Sequence, residues 1–251
     1  SMYIKRALYI LLALTVCVMA SVSCSTKKNT AASRFWQSFN TRYNVYYNGS
    51  QAYIEGEKSK VQGHKDNYTE FLPVFLVGNE KSRTSGKSSF ETAITKCQKA
   101  IALHSIKRRP VVSASKRKTP KMKAYLQRKE YNPFLKNAWL MMGRAQFEKG
   151  DFLEAAATFS YIARLYAAEP AVAAEANQWL ARCYTQEKWY YDAEDALKRM
   201  RRDTIQRATL READATQADL LLRQERFEEA LPYLERAARY AKGSFRQARL
   251  Y

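Results

Sequence analysis

The chain is 251 residues long, with 43 Lys or Arg against 24 Asp or Glu, a formal net charge of +19 and four cysteines. That length supports a sizeable apolar core, and four cysteines without metal-ligand spacing argue against a small module stapled by disulfides or zinc. The excess of basic residues raises the question of acidic partners, and the distribution of the charge along the chain bears on the answer.

The first element is an export signal. Lys5 and Arg6 precede an uncharged apolar run from Ala7 to Ala20, too short to span a bilayer, and Ser21-Val22-Ser23-Cys24 follows. Residues 1–23 therefore read as a signal peptide. Cys24 after small residues resembles the acylated cysteine of a bacterial lipoprotein, although Ser21 stands where such signals usually carry leucine; a plain cleaved signal with an incidental cysteine is the alternative. Residues 24–33 are polar and suit a short tether between lipid and folded domain.

Residues 34–131 read as a divergent helical region. Trp36, Phe39, Tyr43, Tyr46 and Tyr47 recur at three- and four-residue steps within Arg34 to Ser59, which predicts a helix with one aromatic face. Core packing is the default reading of that face, and a sugar-stacking platform is the alternative. Phe71 to Val77, an apolar run broken by Pro73, reads as an extended linker. Phe90 to Leu103 predicts a helix with Phe90, Ile94, Cys97 and Ile101 inward, and the Arg34–Ser59 helix is its expected partner in a degenerate first unit.

Charge is concentrated next. The stretch 25–135 holds 22 basic and 7 acidic residues, whereas 136–251 holds 19 and 17. Between Thr92 and Lys129 there are 12 Lys or Arg and no acid. An exposed basic insertion over 104–129 follows from this, with two prolines and few apolar residues. Lys107, Arg108, Arg109, Lys116, Arg117, Lys118, Lys121 and Lys123 are its candidate contacts, either for an acidic partner surface or for anionic lipid headgroups. A solvated loop without a partner is the bland reading. Nucleic acid is set aside, because the export signal removes the chain from it and no nucleic-acid motif accompanies the charge.

The C-terminal half is repetitive. Gly143 and Ala155 recur as Ala181 and Ala193, then as Ala218 and Ala230, steps of thirty-eight and thirty-seven residues. Each pair of small residues lets two antiparallel helices approach closely while larger neighbours fill the space: Trp139, Met142, Phe152 and Phe159 in the first unit; Leu180, Tyr184, Tyr190 and Leu197 in the second; Leu221, Phe227, Leu234 and Ala237 in the third. The fold class is all-α, a tetratricopeptide-repeat α-solenoid of stacked antiparallel helix pairs. Repeats are assigned to 132–168, 169–206 and 207–243, with 244–251 beginning a fourth. Because a solenoid needs a polar cap and SFRQARLY is not one, an N-terminal piece of a longer protein is expected. First-helix residues should line a concave face, and Arg144, Gln178, Arg182 and Gln217 are nominated as its polar contacts.

No reactive constellation stands out in the sequence. Gly86-Lys87-Ser88 lacks the spacing and the βαβ setting of a phosphate loop. His64 and His104 have no ligand-spaced partners, Cys97 and Cys183 read as small buried hydrophobes, and the acidic pairs Glu228/Glu229 and Asp192/Asp195 read as surface ion-pair partners. The chain reads as a non-enzyme without cofactor or metal.

The segments TRYNVYYNGSQAYIEG (from Thr41), TEFLPVF (from Thr69), CQKAIALHSIKRRP (from Cys97) and above all RKEYNPFLKNAWLMMGRAQFEKGDFLEAAATFSYIARLY (Arg128 to Tyr166) resemble the PorW/SprE lipoproteins of the Bacteroidetes type IX secretion system, which is coupled in some species to gliding motility. The resemblance implies an outer-membrane lipoprotein on the periplasmic face, anchored through Cys24, with repeats serving as a protein-transport scaffold. The implied partners are a PorN-like ring protein, a PorD-like accessory protein and a Sov/SprA-like translocon. A BamD-like factor in outer-membrane protein assembly and a cell-wall or glycan-binding lipoprotein are the alternatives.

Overall fold

The structure is a computed structural model that describes residues 28–69, 72–78, 83–201 and 205–241. The signal peptide, Cys24, most of the tether, Phe71 and the start of the fourth repeat lie outside the described residues. Among the described residues the regular elements are all helical.

Thr30 opens the first helix by accepting a hydrogen bond from the Ser33 amide at 3.1 Å. Helix α1 (Ala31–Asn40) passes through a wider π turn (Thr41–Tyr46) directly into α2 (Tyr47–Gly63). The flanking residues Thr41 and Tyr47 keep right-handed helical angles, so the rod is continuous. An extra residue in a turn rotates everything after it, so the α1 and α2 faces do not share one helical period.

A single turn at Leu76–Gly78 precedes α3 (Lys87–His104). Gly86 opens α3 at φ +75, and a Cβ there would stand 2.5 Å from the carbonyl oxygen of Gly56. The glycine in the Gly86-Lys87-Ser88 run is thus explained by close backbone packing against α2.

The basic insertion contains two short helices, α4 (Ala114–Arg117) and α5 (Pro120–Leu126), the second started by Thr119 as N-cap and Pro120 in its first turn. Six longer helices follow: α6 (Leu135–Lys149), α7 (Phe152–Leu165), α8 (Pro170–Gln186), α9 (Tyr190–Met200), α10 (Arg207–Arg223) and α11 (Phe227–Tyr240). Helices α2/α3, α6/α7, α8/α9 and α10/α11 pack as consecutive pairs. The pairs join through α3 on α6, α7 on α8 and α8 on α10, which builds the α-solenoid of stacked pairs.

The turn between the helices of each of the last three pairs has one geometry. Gly150, Lys188 and Glu225 all adopt positive φ (93°, 62° and 60°), and the next residue's amide reaches back to a carbonyl five residues earlier: Asp151 to Gln146, Trp189 to Tyr184, Arg226 to Leu221. This is the left-handed helix stop with its paired hydrogen bonds. Only the first repeat has glycine there, so the sequence shows the turn once while the structure uses it three times.

The small residues do what their spacing implies: Ala145, Ala155, Ala181, Ala193, Ala218 and Ala230 are fully buried between helices. Phe227, expected to pack, is instead exposed in the first turn of α11. Two other expectations fail. The aromatic face of the first rod does not pack into the core, because the π turn and the narrow buried strip of Ser33, Gln37 and Thr41 leave the rings on the far side. Trp36, Phe39, Tyr43 and Tyr47 are each close to half exposed, with Tyr46 the one turned inward, against Phe134. The run expected as an extended linker is buried too: Val74, Phe75 and Val77 belong to the core cluster of the repeats.

Candidate interaction surfaces

The first helices of the stacked pairs line a groove of about 620 Å³, here called the concave groove. Its near wall is α2, through Tyr53, Glu57, Lys60 and Val61. The floor comes from α6 and α8, and the far wall from Gln206 and the first turns of α10. The segment Val74–Leu76 crosses it.

The floor is built on repeat register. Arg144 and Arg182 follow the small residues Gly143 and Ala181, and each pairs with a glutamate of the next repeat: Arg144 with Glu175, Arg182 with Glu212 at 2.9 Å. The glutamates are thirty-seven residues apart and the arginines thirty-eight, so one ion pair is repeated along the stack. In the third repeat the same position is Asp219. There the carboxylate is held by Arg223 at 3.0 Å and Gln186 at 3.1 Å, while burial pushes its carboxyl above the ordinary aspartate value against the pull of Arg223.

Arg182 is the best-defined group in the groove. Only 3 % exposed, it packs its guanidinium against the rings of Phe75 (3.9 Å) and Trp179 (4.2 Å). Its nitrogens also reach Thr216 Oγ1 at 3.2 Å, and Gln178 donates to the same oxygen at 2.7 Å. Rings on a guanidinium with its N–H groups hydrogen-bonded outward satisfy both the charge and the apolar faces. Arg144 leans on the Trp179 ring at 5.5 Å, and its Nε is buried without a hydrogen-bond partner among the described residues.

On the near wall Lys60 is 2 % exposed, paired with Glu148 Oε2 at 3.0 Å and bonded to the Glu148 carbonyl. Burial draws its ammonium below the ordinary lysine value, with Glu148 acting the other way. Solvent reaches Glu57 through the groove, yet the surrounding protein, and then Glu148, hold its carboxyl above the usual range.

Of the nominated concave residues, Arg144, Gln178 and Arg182 come together here. Gln217 does not line the groove; Thr209 and Glu212 do, with the buried Thr216 behind them accepting from Gln178. The reason lies in the register: Gln217 precedes Ala218 as Leu180 precedes Ala181 and Met142 precedes Gly143, and both of those are buried between helices. Stepping by the period from Arg144 and Arg182 leads to Asp219, which is buried and does not line the groove either.

The basic insertion forms a second surface. Glu130, buried at its foot, accepts hydrogen bonds from the amides of Ile106, Tyr131 and Asn132 and from Ser105 Oγ, so one carboxylate clamps both ends. Burial raises its carboxyl, and those same bonds oppose the shift. Lys107, Arg108, Arg109, Lys116, Arg117, Lys118, Lys121 and Lys123 are exposed beyond the clamp. They do not line the concave groove; Lys107 and Arg108 border a separate recess with Trp139 and Tyr161.

A third surface is the row Phe35, Trp36, Phe39 and Tyr43 along α1 and the π turn, with the other three rings 4.8–6.5 Å from that of Phe39. Exposed rings in such a row mark an interaction surface more often than chance.

The remaining reactive types are accounted for locally. Cys97 and Cys183 are free and fully buried, and burial pushes the Cys97 thiol up to about 12. His104 Nδ1 meets Gln37 Oε1 at 2.6 Å, and His64 has a partner that ligand-spacing rules passed over, Asp66 at 2.8 Å. Asp195 pairs with Arg199, and Glu229 with Arg226 at 2.6 Å.

Neither protein-family models nor the sequences of characterised proteins show a match to this chain.

Proposed function

We propose that this protein is a non-catalytic scaffold: a lipoprotein of the PorW/SprE type, tethered through Cys24 to the periplasmic face of the outer membrane. In this reading it links the ring proteins of the type IX secretion system to the outer-membrane translocon. The reading is supported by one observation above others. Three distinct surfaces, the concave groove, the basic insertion and the aromatic row, are carried on a single stack whose floor is tied by a repeated Arg–Glu pair. A rigid stack with several separate faces suits joining partners at fixed distances. The segment Arg128–Tyr166, on which the resemblance rests most, spans α6 and α7 together with the Glu130 clamp.

Photocrosslinking in intact cells tests this, with the reactive group at Tyr43, Arg117 or Glu212, one on each surface. Capture of PorN-like, PorD-like or Sov/SprA-like subunits is the expected result. Capture of barrel-assembly components alone would overturn it in favour of a BamD-like role.

The exposure of the Phe35–Tyr43 rings favours a second reading, attachment to cell-wall glycan, since exposed aromatic faces beside basic residues suit acidic sugar polymers. Co-sedimentation with purified peptidoglycan at low salt, lost in Trp36→Ser, is its test. No sedimentation removes it.

A further inference from the structure

The connection between α2 and α3 covers residues 64–86, whereas the helices within each later pair are joined by two or three residues. Loops of that length inside a repeat stack usually have a task of their own. Here the apolar stretch of the connection leaves its own pair and lies in the concave groove of the next two. Val74 and Val77 are buried there, Phe75 is 8 % exposed, and Arg83 Nε holds the Val77 carbonyl at 3.0 Å.

The seat under Phe75 is ordered by groups other than Phe75. Thr216 and Glu212 of α10 fix the guanidinium of Arg182, and Trp179 backs it. Such a seat exists before its ring arrives, which lowers the entropic cost of accepting one. Nor does the segment fill the groove. About 620 Å³ stays open beside it, with polar walls at Gln206, Thr209 and Glu57. The groove opens to solvent at Glu57 and Gln206, so the segment covers one part of a larger accessible surface.

We propose that Val74–Val77 is an intramolecular ligand of the concave groove, and that the Arg182–Trp179 seat is a binding site for an aromatic side chain of an extended, apolar partner peptide. The partner must displace Phe75 to engage. Its chemistry is set by the occupant: an aromatic ring on the guanidinium, flanked by aliphatic residues, with a backbone carbonyl facing a cation. The proposal deepens the scaffold reading and rests on it for the concave face alone.

The test uses the full chain and a fluorescent synthetic peptide of residues Leu72–Gly78 supplied in trans. Phe75→Ser should bind this peptide at least tenfold more tightly than the unsubstituted chain, and Phe75→Ser/Arg182→Ala should lose that gain. Because Phe75→Ser removes buried surface, Phe75→Leu serves beside it: it keeps the apolar volume, loses the ring on the guanidinium, and should bind with intermediate affinity. A peptide carrying serine in place of the phenylalanine should not bind. Equal affinity for all chains, or no binding by a Phe75→Leu chain that retains its helical content, overturns the proposal. Should that happen while crosslinks from Tyr43 or Arg117 still capture secretion subunits, the scaffold reading stands without the intramolecular ligand.

Discussion

The ring of Phe159 covers the α-carbon of Gly143: a methyl group added to that carbon would stand 2.7 Å from the ring. This contact sets how closely α6 and α7 approach within the first repeat. Gly143→Ala should therefore cost about 1–3 kcal/mol through overpacking, read as a shift in the urea midpoint at unchanged slope. Adding Phe159→Leu to that variant should recover part of the loss, because a smaller side chain admits the methyl group. Additive losses would show that the two sites do not communicate.

The left-handed turns give a prediction of opposite sign. Lys188 and Glu225 sit at φ 62° and 60°, where a β-carbon is strained, while Gly150 fills the equivalent position without strain. Lys188→Gly and Glu225→Gly should each stabilise the chain by about 0.5 kcal/mol, the relief of strain being partly offset by a freer unfolded chain. Gly150→Ala should destabilise it by about 1 kcal/mol. Thermal melts of the three variants are sufficient, and a loss of stability in both glycine variants would reject the shared turn.

Lys60 is the buried cation of the near wall. Lys60→Met leaves Glu148 without its cation and facing Glu57, and should cost about 3 kcal/mol at neutral pH. The double variant Lys60→Met/Glu148→Gln should regain most of it, since no charge is then left unpaired. For Glu57 the folded carboxyl lies above its unfolded value, so its contribution is largest below that window and is lost as pH rises through it. The single variant should therefore recover stability on mild acidification more than the unsubstituted chain does.

Asp219 gives a pH dependence that one substitution isolates. Its carboxyl is raised by burial, so between the ordinary aspartate value and the raised one the folded chain keeps a proton that the unfolded chain has released. Stability falls as pH rises across that window. Asp219→Asn has no proton to lose, and its stability relative to the parent should climb across the same window and level off above it. Melting curves that run parallel for the two chains throughout the acid range would contradict this.

Much of the repeat architecture is legible in the sequence. The recurrence of Gly143, Ala181 and Ala218, and of their partners twelve residues on, places α6 to α11 and their pairing. Register also brings Arg144 and Arg182 into one groove, whereas their third-repeat equivalent, Asp219, is buried outside its lining. The repeated turn was half legible: Gly150 announces it, but Lys188 and Glu225 do not, because hydrogen bonds and helix packing impose the left-handed conformation on residues that do not prefer it.

By itself, then, the sequence determined where small residues let the repeat helices close on one another and how often that pattern returns, since both follow from local periodicity and side-chain size. Whether a face is covered was decided by the tertiary structure alone. The aromatic residues of α1 and the apolar run at Val74–Val77 carry the same signal, high apolar content, yet Trp36 stays about half exposed and Val77 is fully buried. What separates them is the path of a 64–86 connection and the rotation introduced by one π turn, which depend on contacts between residues far apart in the chain.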